Sequence, residues 1–222
     1  MEVSIDDAVA WIAQGGLLAY PTETVWGLGA DAKSDTAIGR LRVFKGRSGA
    51  APISILVTGV GALAALGFRV DAAAERLACE FWPGPLTLVL RCEAAFAAGL
   101  AREDGAVGVR CSPHAVASEL AARCATAGTG PLTATSCNAS GAPAACTRAA
   151  ARRVCGGDPR VRVISDGVDA ASFAQRAEGE RRPSGVHTAS TVVDVTGPRP
   201  RVLRWGAIAE PALRAVLEEL AA

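Results

Sequence analysis

Short apolar runs, four to six residues long and bounded by glycine, proline or polar residues, alternate along this chain with stretches of helical spacing. Leu17–Tyr20, Ile53–Val57, Leu86–Arg91, Val107–Cys111, Leu132–Thr135, Val161–Ile164, Thr191–Val195 and Val202–Trp205 read as strands. Ser4 reads as the N-cap of a helix with Asp6 and Asp7 in its first turn and Val9 and Ile12 on one face, ended by Gly15-Gly16. A second helix opens at Ser34 or Asp35 and carries Ile38, Leu41 and Phe44 at helical spacing. An alanine-rich helical stretch runs to about Phe81, and further helices are expected at Pro113–Cys124, Thr147–Val154 and Glu210–Leu220. Trp82-Pro-Gly-Pro85 is a turn feeding the strand after it. The polar stretch Gln175–Ala189 reads as a solvated loop, with a lid over a site as the sharper alternative. No repeat, low-complexity tract or linker divides the chain. The succession predicts one α/β domain over residues 1–222, a mixed sheet with flanking helices.

Composition removes several functions. No apolar run reaches the roughly 18 residues of a membrane span, and the opening Met-Glu-Val-Ser-Ile-Asp-Asp is acidic where a secretory signal would be basic, so a cytoplasmic location without membrane attachment is expected. A net charge of +1 argues against a protein whose main task is gripping nucleic acid, although a local basic cleft is compatible with it. Seven cysteines contain no Cys-x-x-Cys pair, and His114 and His187 are the only histidines, so no structural metal site is expected. Cys137 lies inside a candidate site, but no histidine stands near it in sequence to activate it as a nucleophile. Of the 23 basic residues only Lys33 and Lys45 are lysines, which suggests a need for a compact ammonium at Lys45.

Two short segments carry the chemistry. Lys45-Gly46-Arg47 follows the second helix, and Ser136-Cys137-Asn138 follows a strand. Two cations, a hydroxyl and a carboxamide suit a polyphosphate held beside a small polar substrate. No Gly-x-x-x-x-Gly-Lys-Ser/Thr occurs, which excludes a P-loop. Gly27-Leu-Gly29-Ala-Asp-Ala32 matches a dinucleotide fingerprint in form, but the acidic residue expected about 20 positions on is missing. Gly27 and Gly29 are read instead as a tight turn where backbone closely approaches a ligand or strand.

Further motifs stand in a recognisable order: Tyr20-Pro-Thr-Glu-Thr-Val-Trp-Gly-Leu-Gly29, Phe44-Lys-Gly-Arg47, Trp82-Pro-Gly-Pro-Leu-Thr87, Val109-Arg110 with Pro113-His114, Ser136-Cys-Asn-Ala-Ser-Gly141, Ser190-Thr-Val-Val-Asp194 and Arg204-Trp-Gly206. Over roughly residues 5 to 208 the chain resembles the YrdC-like threonylcarbamoyl-AMP synthase family, in a short form without the extra C-terminal domain of longer members. The resemblance implies a twisted α/β domain around a concave, electropositive site. It also implies a nucleotidyltransferase that makes threonylcarbamoyl-AMP and pyrophosphate from L-threonine, bicarbonate and ATP. Downstream proteins would use that product to modify tRNA.

By resemblance, Lys45, Arg47, Ser136 and Asn138 are the catalytic and ATP-binding residues, with Arg204 also lining the nucleotide site. Thr24, Arg110 and Ser190 would bind threonine, Arg110 through its carboxylate. Mg2+ is expected with ATP, held mostly by phosphate and water. The chain departs from the family pattern at Ser48, where proline is common, at Ala51 for asparagine, at Leu56 for a histidine, and at Ala144-Ala-Cys-Thr147 for Ser-Pro-Thr. These departures define the alternative, a divergent or non-catalytic paralogue that binds nucleotide or, weakly, RNA. A carbamoyl-adenylate enzyme like those of hydrogenase maturation is the remoter rival, since this chain lacks their cysteine-rich zinc segments.

Overall fold

The computed structural model describes residues 1–46, 53–165 and 189–220. Ser4 caps α1 (Ile5–Ala13) by accepting from the Asp7 amide at 3.2 Å, and Ala8 and Ile12 are its buried face. The unbroken apolar run Leu17–Tyr20 forms β2, buried at every position. It lies between β8 (Val161–Ile164), which runs parallel to it, and the antiparallel β3 (Gly27–Gly29). β1 (Glu2–Val3) adds to β8 in parallel, and β7 (Thr135–Ser136) closes the other side against β3. Helices α1, α2 (Asp35–Lys45) and α6 (Arg148–Cys155) pack against this sheet.

The second sheet has the order β10-β9-β5-β6-β4. Its strands are Arg201–Arg204, Thr191–Asp194, Leu86–Arg91, Ala106–Arg110 and Ile55–Leu56 in that order. β5 and β6 are antiparallel, with Thr87 opposite Arg110 and Val89 opposite Gly108. Because side chains alternate across a strand, Thr87, Val89, Gly108 and Arg110 share one face, while Leu86, Leu88, Leu90, Val107 and Val109 join the core on the other. The remaining helices are α3 (Gly61–Ala65), α4 (Ala72–Phe81), α5 (Ala115–Thr126) and α7 (Glu210–Glu219).

The two five-stranded sheets are joined by an irregular seam. Leu56 N donates to Leu132 O at 2.7 Å, Ala134 N to Ser54 O at 2.6 Å, and Thr133 pairs with Ile55 across an isolated bridge. On its other side Thr133 accepts from the Ala30 amide through Oγ1 at 2.9 Å, and the Tyr20 hydroxyl donates to its carbonyl at 2.9 Å. The sequence placed a strand at Leu132–Thr135. That stretch is the seam, and only Thr135 and Ser136 pair as a regular strand.

Two other expectations change. Gly27 and Gly29 form a strand, not a turn, and the close approach is to protein. A Cβ at Gly27 would stand 2.8 Å from Tyr20 Cζ, and one at Gly29 would stand 2.7 Å from Leu132 Cδ1. The alanine-rich stretch is two helices, because Phe68 leaves the helix to bridge Cys92 and Arg69 N donates to Arg91 O at 3.0 Å. Among the described residues no helix is long and apolar enough to cross a membrane.

Candidate functional site

α2 is capped by Ser34, whose Oγ accepts from the Ala37 amide, and ended by Gly46, which adopts the left-handed conformation at φ +63° that favours glycine. Lys45 is therefore the last helical residue, and its side chain turns inward to 1% exposure. Its ammonium donates to the Ser136 carbonyl and, at 2.8 Å, to Asn138 Oδ1. Ser136 Oγ donates to the same amide oxygen at 2.8 Å, and Asn138 Nδ2 donates to Ala142 O at 2.5 Å. Ser140 N donates to the Lys45 carbonyl at 2.9 Å, so the helix end and the loop after β7 are fastened from both sides. The two segments that the sequence singled out thus meet. Arg47, Ser48, Ala51, His187 and the rest of the polar stretch 175–188 lie outside the described residues.

Beside this cluster lies a cavity of about 280 Å³ whose wall comes from both sheets. Ser136 of β7 lines it on one side; Arg110 of β6, Thr87 of β5, Ser190 before β9 and Arg204 of β10 line the other. Lys45 and Asn138 are hydrogen-bonded to Ser136, and Thr24 to Arg110, without lining the cavity themselves. Among the described residues the lining includes Arg102, Arg110 and Arg204 and neither an aspartate nor a glutamate. Arg102 is balanced by Asp104 at 2.5 Å and Asp194 at 2.7 Å. Arg110 is balanced by Glu23 at 2.6 Å.

Arg204 has no carboxylate within ion-pair distance among the described residues. It donates to the Ser190 carbonyl at 2.8 and 3.2 Å and to the Ser190 hydroxyl at 3.3 Å. Burial pulls its guanidinium below the usual value, and the neighbouring charge of Arg110 adds to the effect. The Ser190 hydroxyl is also shared with Thr87 Oγ1 at 2.8 Å. Gly206 is required here, since a Cβ would stand 2.3 Å from the Ala189 carbonyl. The two segments are joined by Gly206 N donating to Thr191 Oγ1 at 3.1 Å and by the Arg204–Ser190 bonds.

Sequence reading missed Glu23, Thr87 and Ser112 as members of the site, although Glu23 and Thr87 stand inside quoted motifs. His114 and Cys137 each have a structural setting. His114 caps α5, its Nδ1 accepting from the Val116 amide at 3.3 Å. Cys137 is fully buried, and the adjacent Cys155 thiol together with burial pushes its thiol far up, so it stays protonated. Leu56, where the resemblance places a histidine, is buried beside Arg110 in the parallel β4–β6 ladder and is not part of the cavity wall.

Residues 10–172 match the Sua5/YciO/YrdC family, described as Telomere recombination. The chain belongs to that family. It is 33% identical over 222 residues to threonylcarbamoyl-AMP synthase of Pyrococcus abyssi, covering 99% of this chain and 58% of that protein. It is 37% identical over 169 residues to threonylcarbamoyl-AMP synthase of Xanthomonas euvesicatoria, covering 75% of this chain and 84% of that one. The crystal structure of P. abyssi Sua5 complexed with L-threonine superposes with a TM-score of 0.80 at 31% identity, over 97% of this chain and 57% of that one. E. coli YciO shares the fold, with a TM-score of 0.73 at 19% identity.

Proposed function

We propose that this chain is an L-threonylcarbamoyladenylate synthase acting in the cytoplasm. The observation that carries the reading is the convergence of Arg110, Ser136, Ser190 and Arg204, from both sheets, on one cavity backed by Lys45 and Asn138. The amine of threonine and bicarbonate give a carbamate with loss of water. A carbamate oxygen then attacks the α-phosphorus of ATP, and pyrophosphate leaves. Two anions must meet and charge builds on the leaving group, so the protein's task is to position them and to offer fixed positive charge.

Arg110 suits the threonine carboxylate, with Thr24 and Ser190 beside it. Arg204, which has no carboxylate within ion-pair distance among the described residues, suits an anionic oxygen of the nucleotide or carbamate. Ser136 turns its proton toward Asn138 and so presents lone pairs to a ligand hydroxyl or amine. Lys45 supplies positive charge from behind Ser136, and Arg47 would follow it toward the phosphates. Mg2+ enters as part of the nucleotide substrate. Lining residues that, among those described, include hydroxyls and arginines but neither aspartate nor glutamate fit a metal held by phosphate and water. The product would pass to proteins that modify tRNA.

The test is pyrophosphate release by purified protein with ATP, threonine and fresh bicarbonate, each omitted in turn. Release that needs all three, with threonylcarbamoyl-AMP detected by mass spectrometry, is expected. No release above background would end this reading.

A further inference from the structure

Arg110 is 6% exposed and ends β6. Among the described residues its hydrogen bonds all leave from one nitrogen, Nη2: to Thr24 Oγ1 at 2.5 Å, Glu23 Oε1 at 2.6 Å and Thr22 Oγ1 at 3.4 Å. Its Nε is buried and has no acceptor among the described residues. Three consecutive side chains on one nitrogen cannot come from a strand, whose side chains alternate. The bend after Pro21 brings them there, with Thr22 Oγ1 donating to Val25 O at 2.6 Å to hold it.

Glu23 is secured at its far end too. Ser112, two residues beyond Arg110, donates its hydroxyl to Glu23 Oε2, and the same Oγ accepts from His114 N at 3.2 Å at the start of α5. A carboxylate engaged at both oxygens is an anchor and not a ligand for an incoming group. A carboxylate ligand takes two adjacent guanidinium nitrogens side by side. Nη2 already serves three acceptors and has no hydrogen to spare for such a fork; the buried Nε, without an acceptor among the described residues, remains as a single donor that favours whatever brings it an oxygen.

We propose that Glu23 is a positioning residue. It fixes the plane of Arg110 so that the guanidinium charge and the remaining Nε donor are set for one oxygen of the carboxylate of an α-amino acid, and Ser112 fixes Glu23. This rests on the reading of Arg110 as the threonine-carboxylate seat.

The test is calorimetric binding of L-threonine and, separately, of ATP to full-length wild type, Glu23→Ala, Glu23→Gln and Ser112→Ala, with thermal melts. Glu23→Ala is expected to weaken threonine roughly tenfold or more while ATP stays within about twofold. Glu23→Gln, whose amide oxygen still accepts from Nη2, should recover most of the loss. Ser112→Ala should weaken threonine by about threefold. Glu23→Ala binding threonine as tightly as wild type, or more tightly because a competing negative charge has gone, overturns the proposal. If Glu23→Ala does not fold, unchanged threonine affinity in Ser112→Ala overturns it instead. A wild type that binds no threonine fails the functional reading itself, a result distinct from variants that bind normally.

Discussion

Lys45 is conspicuous in the sequence, and its surroundings add a structural part to the role expected of it. A chain that otherwise uses arginine keeps an ammonium here, and the enclosure explains why. At 1% exposure, between the Ser136 carbonyl and Asn138 Oδ1, there is room for a compact donor and none for a planar fork. Lys45 is also a brace for the Ser136–Asn138 loop, not only a charge aimed at phosphate. Lys45→Met is therefore expected to lower pyrophosphate release by about 10²-fold or more. It should also reduce stability by about 1–3 kcal/mol, since two acceptors lose their donor. Lys45→Arg should restore neither. Turnover and urea melts measure both, and a Lys45→Met protein with wild-type turnover would remove the residue from the mechanism. Glu23 was illegible for the opposite reason. Its partners Arg110 and Ser112 lie 87 and 89 positions away, and nothing in local spacing points across that distance.

At the scale of elements, legibility followed the hydrophobic pattern. β2, β5, β6, β8 and β9 were placed because their runs are buried on one or both faces. The alternation in Leu86–Arg91 already separates core from cavity face. β3 was hidden because its glycines, required by the Tyr20 ring and Leu132, carry the signature of a turn. β1 has only two residues, too few to show a period. The seam at 132–134 defeated the pattern because its hydrogen bonds go in two directions, to β4 and to the β3 side. Leu132 and Ala134 make the bonds to the β4 side, and Thr133 between them makes those to the β3 side. Thr133→Val keeps the shape but leaves the buried Ala30 amide without its acceptor, at an expected cost of about 1–3 kcal/mol. A urea midpoint equal to wild type would show that the seam does not need that hydroxyl.

Across the whole molecule, the cavity is the place where the sheets share a task. β7 supplies one wall and β5, β6, β9 and β10 supply the other, while the seam holds the walls at a fixed separation. A ligand that spans the cavity must therefore stabilise both sheets together. At 100 times its dissociation constant, such a ligand adds about 2.7 kcal/mol to global stability by mass action. The added protection should appear in amide exchange of β2 and β8 as well as β5 and β9, because opening either sheet alone would release it. Arg204 has no carboxylate within ion-pair distance among the described residues, so Arg204→Ala should reduce this protection in both sheets at the same ATP concentration. Hydrogen exchange with and without saturating ATP and threonine decides the matter. Protection confined to the sheet carrying Arg204, with the β2–β8 ladder exchanging as in the free protein, would mean that the ligand touches one wall only. The convergence of the motifs would then be a feature of the fold and not of the chemistry.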